Sequence, residues 1–168
     1  HFELYFRAIQ LIDQQCTIGI SGGEPTLFKN SLLNFMKKCV KAKANVKFHV
    51  LTNAQHFENA DIELLSLLRT NIIWAVPIYS NEASCHNKIV GKEGAFDQLM
   101  KGLSVLSKAS SLVEIRTVIL RENVHHLTRL ANFIGKNLPW INSWSVMQLE
   151  KKGYAIIDWA HKFYDTSE

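Results

Sequence analysis

The sequence predicts an α/β fold built on a parallel sheet. Three observations carry that expectation. Helix-spaced and strand-like apolar patterns alternate along the 168 residues. The segments between strands are long enough for right-handed parallel crossovers. The strand-like segments all end in polar residues, and loops at the ends of parallel strands are where chemistry collects. Periodicity alone leaves open a full barrel, a partial barrel or a flat, doubly wound sheet.

The length suits about one domain with a proper core. At 47% hydrophobic and 20% charged, with eight Gly and three Pro, the chain has no disordered or low-complexity character. The net charge of +4 is modest. Lys37, Lys38, Lys41, Lys43 and Lys47 account for much of the basic character, on one predicted helix and its exit, without interleaved aromatics. That pattern reads as a solvated helix face, so nucleic acid is not an expected partner. The longest apolar run, residues 72–79, contains Pro77 and is too short to cross a bilayer. The opening residues lack the basic-then-apolar order of a signal peptide, so no membrane partner is expected. Three widely spaced cysteines, Cys16, Cys39 and Cys85, suit a reducing, cytoplasmic setting without a disulfide framework.

In chain order, Leu4, Phe6, Ile9, Leu11 and Ile12 recur at helical spacing and predict a helix over residues 3–14. Residues 17–20 are a short apolar run that suits a buried strand. Leu32, Leu33, Phe35, Met36 and Val40 predict a helix over 31–42, and residues 46–51 alternate as a strand ending in Thr52-Asn53. Ile62, Leu64, Leu65, Leu67 and Leu68 predict a helix over 61–69, capped by Asp61 or Asn59. Residues 72–78 form a near-continuous apolar strand, covered on both faces. A long loop over 79–94 precedes a helix at 96–108. Strand 113–120, helix 127–137 and strand 143–149 complete the series. A short helix is expected in the tail at 158–168.

The pentapeptide Ser21-Gly22-Gly23-Glu24-Pro25 sits where the first of these strands ends. Adjacent glycines permit positive φ and close approach of the backbone, leaving amide N–H groups free to point outward. Pro25 biases Glu24 toward an extended conformation and holds its carboxylate beside those amides. The combination suits a zwitterion, with amides for an anionic carboxylate and Glu24 for an ammonium. The alternative is a strand-to-helix turn in which Glu24 sits at a helix N-terminus and Pro25 opens the helix.

Strand parity locates further candidates. In 113–120, Val113, Ile115, Thr117 and Ile119 share one face that packs against helices. Glu114, Arg116, Val118 and Leu120 then point the other way, where an unpaired guanidinium is costly. Its partner is either Glu114 or a neighbouring strand's acid, or else a ligand carboxylate gripped by the guanidinium fork. Parity also puts Asn53 on the face of Lys47 and His49, with His49 read as a satisfied interior histidine. His125 and His126 are read as surface residues, and Cys85-His86 as loop structure, since two residues make no metal site.

Taken in order, Gly22-Gly23-Glu24-Pro25, Thr52-Asn53, and His86 onward through Gly91 to Gly94-Ala95-Phe96 resemble the radical S-adenosylmethionine (SAM) superfamily of the peptide-maturing kind. The radical SAM maturase of the His-Xaa-Ser system is similar in residues 49–53, 76–80, Glu114-Ile115-Arg116 and Asn137-Leu138-Pro139. The resemblance implies a partial parallel (βα)6 TIM-like barrel lacking its first strand. Residues 1–150 form the core (strands 2 to 6) and 151–168 the C-terminal tail. It implies SAM as cofactor, with Gly22, Gly23, Glu24 and Pro25 at its amino group and Arg116 at its carboxylate or ribose. Thr52 and Asn53 support the cofactor, Ser80 is placed at the ribose, and Met147 and Gln148 at the adenine.

The family's 4Fe-4S cluster is held by Cys-x-x-x-Cys-x-x-Cys, a spacing that Cys16, Cys39 and Cys85 do not have. Its ligands are therefore expected upstream of His1, no catalytic or metal residue is assigned within the chain, and the chain alone is expected to be inactive. The implied whole enzyme reductively cleaves SAM to a 5′-deoxyadenosyl radical for peptide or protein modification, with a flavodoxin or ferredoxin as electron donor. Two alternatives stand beside it: a cluster-free SAM- or peptide-binding module, and an RNA-modifying radical SAM relative.

Overall fold

The computed structural model describes residues 2–43, 45–150 and 156. The elements are α1 (Phe2–Gln10), β1 (Cys16–Ile20), α2 (Lys29–Ala42), β2 (Val46–Leu51), α3 (Ile62–Leu67) and β3 (Ile72–Pro77). They continue with α4 (Ala83–Val90), α5 (Ala95–Lys108), β4 (Leu112–Ile119), α6 (Leu127–Asn137) and β5 (Ser143–Gln148). One sheet holds the five strands in the order β1-β2-β3-β4-β5. β1 pairs parallel with β2 from Cys16↔Val46 to Ile20↔Val50, and β2 parallel with β3 from Phe48↔Ile72 to Leu51↔Ala75. Sequential order means that every crossover steps the same way. A doubly wound sheet reverses at a switch point, so that alternative is excluded.

Three elements differ from the expectation. The first helix stops at Gln10 rather than residue 14, because Leu11 and Ile12 donate their amides to Ala8 and Ile9, a tight i−3 pattern that closes the last turn. The helix expected at 61–69 is a 3₁₀ turn at Asn59–Asp61 followed by α3. The long loop expected over 79–94 contains α4. Its buried positions are His86 and Asn87, both polar, so no apolar period announces it; Gly91 ends it in the left-handed conformation (φ 69°). The expected tail, 151–168, and its short helix at 158–168 lie, apart from residue 156, outside the described residues.

Contacts divide the chain into two compact units, His1–Val76 with Leu99–Glu114, and Pro77–Gln98 with Ile115–Glu168. In the first, Leu32, Leu33, Met36 and Cys39 of α2 and Val46, Phe48 and Val50 of β2 are buried, each large apolar side chain contributing about 2–3 kcal/mol. Phe35 meets Phe48 edge-on at 6.1 Å, and Phe57 meets Trp74 at 4.9 Å. Lys38 donates to Glu3 at 2.8 Å and lies 4.0 Å over the Phe6 ring, as befits a helix-face lysine.

Lys29, at the start of α2, donates to the His56 carbonyl (2.8 Å) and pairs with Asp61 (2.9 Å) and Glu58 (3.1 Å). Burial works against its charge, but the two carboxylates outweigh it and hold the ammonium above its ordinary value. Asp61→Ala leaves a largely buried cation short of a partner. A loss of about 3 kcal/mol in urea denaturation is expected.

In the second unit, buried side chains staple the backbone. Asn87 Oδ1 accepts from Phe96 N (2.9 Å), and Asn123 accepts from Leu120 N (2.8 Å) while donating to the Val118 carbonyl (2.9 Å). Thr117 Oγ1 donates to the Ile78 carbonyl (2.6 Å) and accepts from Trp144 Nε1 (2.9 Å). His86 is buried between the Tyr79 and Phe96 rings, and its Nδ1 accepts from Tyr79 N at 3.3 Å.

Burial pushes the His86 imidazole down to about 4. Its folded value lies below the unfolded one, so the unfolded chain takes up the proton first as pH falls through about 6.5. Stability is therefore lost between pH 6.5 and 4, by roughly 3 kcal/mol in all. Denaturant titrations across that window are expected to show the slope, and His86→Gln, which keeps an acceptor for Tyr79 N, to flatten it.

Candidate functional site

After Ile20 the chain turns through Gly22 (φ 96°) and Gly23 (φ 57°). A Cβ at either position would meet nothing within 4 Å, so it is the positive φ, not space, that calls for glycine. Glu24 follows in an extended conformation (φ −122°, ψ 105°), as a residue before proline should be. Pro25 opens a 3₁₀ turn, Pro25–Phe28, which leads into α2. The strand-to-helix reading is thus realised in part, with Glu24 as the cap of that turn.

The Glu24 carboxylate does more than cap. Oε1 accepts from Thr26 N at 2.9 Å and from the hydroxyls of Thr26 and Thr52, each at 2.5 Å. Oε2 accepts from Asn53 N at 2.7 Å. Parallel register makes this possible, because Ile20 lies level with Val50 and the two strand ends therefore emerge side by side. Burial alone would raise the carboxyl, but the Asn53 amide, the two hydroxyls and the Thr26 amide outweigh it and hold Glu24 below the usual carboxylate value. The stabilisation from these bonds is complete above the ordinary carboxylate range and is lost as pH falls through the lowered folded value.

The turn after β2 is fixed locally as well. Thr52 Oγ1 accepts from Ala54 N (3.1 Å), Asn53 Oδ1 accepts from Gln55 N (3.0 Å), and Ala54 takes a positive φ of 57°. Beside the Gly22–Pro25 turn opens a cavity of about 820 Å³, lined by Tyr5, Ile9, Ile12, Ile18 and Ile20 and by Gly22, Gly23 and Glu24. That volume falls within the range of small-molecule clefts, ~300–1,000 Å³, and a mostly apolar lining with a few polar groups is their usual construction.

The other candidates separate into two groups. His49 Nε2 meets Glu114 Oε2 at 2.7 Å, so His49 is satisfied. In the second unit, burial of Val113, Ile115 and Thr117 in β4 leaves Arg116 on the opposite, half-buried face, in accord with parity. Its Nη2 donates to Met147 Sδ at 2.9 Å, which ties β4 to β5. Gln148 is exposed at the end of β5.

Ser80 is fully buried, and its hydroxyl accepts from Glu82 N (3.1 Å) and lies 3.3 Å from His126 Nδ1. His126 is also 3.6 Å from Glu82 Oε1, so it is part-buried and engaged rather than a plain surface histidine.

Two participants escaped sequence reasoning. Thr26, only 1% exposed, carries the signal of a hydroxyl two residues after an acidic residue, a local capping pattern. Gly102 interrupts the helical pattern of α5, a sign of close backbone approach. A Cβ there would stand 1.7 Å from the Ala54 carbonyl oxygen.

The cysteines do not fit an iron–sulfur cluster. All three are free, burial lifts Cys39 to about 11, and among the described residues no three His, Cys, Asp or Glu gather as metal ligands.

No family model matches the chain. It is 25% identical over 137 residues to the cysteine-type anaerobic sulfatase-maturating enzyme of Clostridium novyi (strain NT), covering 77% of this chain and 36% of that relative. The solved structure of native anSMEcpe with bound AdoMet and a Kp18Cys peptide superposes with a TM-score of 0.68 at 15% identity, over 88% of this chain and 41% of that one. SuiB of Streptococcus suis bound to S-adenosylmethionine superposes with a TM-score of 0.65 at 22% identity, over 82% and 31%. The chain therefore spans about a third to two-fifths of the length of these relatives.

Five parallel strands in sequential order, matched to these neighbours, place the fold in the class of partial TIM-like barrels. Within that class, the sequence match and the Gly-Gly-Glu-Pro turn at a strand end narrow the kinship. The chain is a relative of the radical SAM superfamily.

Proposed function

We propose that this chain is the SAM-binding portion of a radical SAM enzyme that modifies a peptide or protein. One observation carries the reading: an ionised carboxylate, Glu24, stands beside two positive-φ glycines in the lining of a largely apolar cavity. Glu24 accepts from the ligand ammonium, and the backbone of Gly22 and Gly23 approaches the neighbouring polar atoms, with Pro25 keeping Glu24 extended. Thr52 and Asn53 support this end. Arg116 is assigned to the carboxylate or ribose, Met147 and Gln148 to the adenine, and Ser80 to the ribose.

In this superfamily SAM is the source of a 5′-deoxyadenosyl radical. Among the described residues no set of ligands fits the cluster that reduces it. A peptide partner is supported by the peptide bound in the anSMEcpe structure. A flavodoxin or ferredoxin donor and the finer likeness to the His-Xaa-Ser maturase rest on the superfamily resemblance, and a cytoplasmic setting on the three widely spaced, free cysteines. Among the described residues no helix is long and apolar enough to cross a membrane.

Titration calorimetry with SAM tests the reading. Micromolar binding that disappears in Glu24→Ala is expected. A folded wild-type chain that gives no binding heat at about 1 mM SAM, the level of a −4 kcal/mol interaction, overturns it.

A further inference from the structure

Oε1 of Glu24 and Oε2 of Glu24 have different surroundings. An ionised carboxylate offers about two acceptor sites on each oxygen. Oε1 meets three donors: the Thr26 amide, the Thr26 hydroxyl and the Thr52 hydroxyl. Oε2 meets the Asn53 amide. The two hydroxyl oxygens lie 3.2 Å apart and are 1% and 2% exposed as residues, so neither is placed to serve solvent. Each hydroxyl has one proton, and both protons are directed to Oε1. The Thr52 oxygen is further engaged as acceptor of Ala54 N.

We propose that Thr26 and Thr52 are positioning residues, a buried hydroxyl pair that saturates Oε1 of Glu24 and leaves Oε2 as the oxygen that receives a ligand ammonium. The proposal rests on the reading of Glu24 as an ammonium acceptor and deepens it. Saturating one oxygen fixes the carboxylate plane before any ligand arrives, so the ligand meets a preorganised acceptor. It also keeps the carboxyl ionised in the empty site, consistent with its lowered value. No proton then has to leave when the ammonium binds, and affinity stays level with pH down through the ordinary carboxylate range.

The test uses Thr26→Val and Thr52→Val, which keep the shape and remove the hydroxyl, and Thr26→Ser, which restores it. Thr26→Ala serves if valine does not fold. Two readouts are taken: the Glu24 carboxyl titration by NMR on 13C-labelled protein without ligand, and SAM affinity against pH by calorimetry. The expected result is a Glu24 titration midpoint shifted upward in each hydroxyl-less variant, with wild-type behaviour in Thr26→Ser. SAM binding is expected to weaken about tenfold, the effect of one charge-assisted hydrogen bond, and to fail at higher pH than in the wild type.

A purely structural role lowers the melting temperature and leaves the midpoint where it was, which overturns the proposal. The NMR readout needs no SAM. If the wild type fails to bind SAM while the midpoint shifts as expected, the ammonium reading falls and the hydroxyl pair's hold on Glu24 stands.

Discussion

Glu24→Gln is expected to weaken SAM binding by roughly 10–100-fold and to destabilise the fold by about 2 kcal/mol. The substitution keeps the shape of the side chain and removes its charge. The loss of affinity is that of a charge-assisted hydrogen bond to the ligand ammonium, about 1.5–3 kcal/mol. The loss of stability comes from the donors already in place. With the new amide oxygen at the Oε1 position, its NH2 faces the Asn53 amide; with the amide reversed, it faces the Thr26 amide. The Thr26 and Thr52 hydroxyls can rotate to accept, but a backbone N–H cannot. Either orientation therefore leaves one backbone donor opposed by another donor. Calorimetry with SAM and urea denaturation read the two effects separately. Unchanged affinity would remove Glu24 from the ligand site, whatever happened to stability.

The second large effect is expected far from Glu24 in sequence. Gly102→Ala would ordinarily strengthen a helix by about 1 kcal/mol. Here the added Cβ would fall 1.7 Å from the Ala54 oxygen and 2.8 Å from its carbonyl carbon. Both are backbone atoms of a turn whose residue 54 already has φ 57°, so no flexible side-chain end can give way. Either α5 or the turn must shift, and the turn carries Thr52 and Asn53, the donors to Glu24. A destabilisation of about 3 kcal/mol is expected, at the upper end of overpacking effects, with SAM affinity falling alongside. Gly135→Ala in α6 is the control: its Cβ meets nothing within 4 Å, so the ordinary helix preference should give a gain of about 0.5–1 kcal/mol. Equal behaviour of the two variants in chemical denaturation would disprove the close-approach argument.

Much of the fold was legible in the sequence where local signals agree. Strand β2 at Val46–Leu51 and helix α6 at Leu127–Asn137 have the bounds that alternation and helical spacing predict. Parity placed Arg116 correctly on the half-buried face of β4. Helix α4 was hidden because His86 and Asn87 occupy its buried face. Their burial is satisfied by Tyr79 N, Glu93 and Phe96 N, partners that no hydrophobic pattern encodes. The first helix ends before its apolar spacing does, because Leu11 and Ile12 continue that spacing after the backbone has tightened into i−3 bonds.

At the candidate site, the sequence by itself determined the backbone of residues 21–25. Two glycines permit the positive φ values, and proline makes the glutamate extended, through sterics that act within one or two residues. Tertiary structure decided what the carboxylate does. Parallel pairing of β1 with β2 brings Thr52 and Asn53 to Glu24 across 28 and 29 residues, and the absence of a side chain at Gly102 lets α5 lie against their turn. Those contacts depend on register and on the closeness of two backbones. Neither is expressed in the chemistry of the neighbouring residues, and only the folded chain contains them.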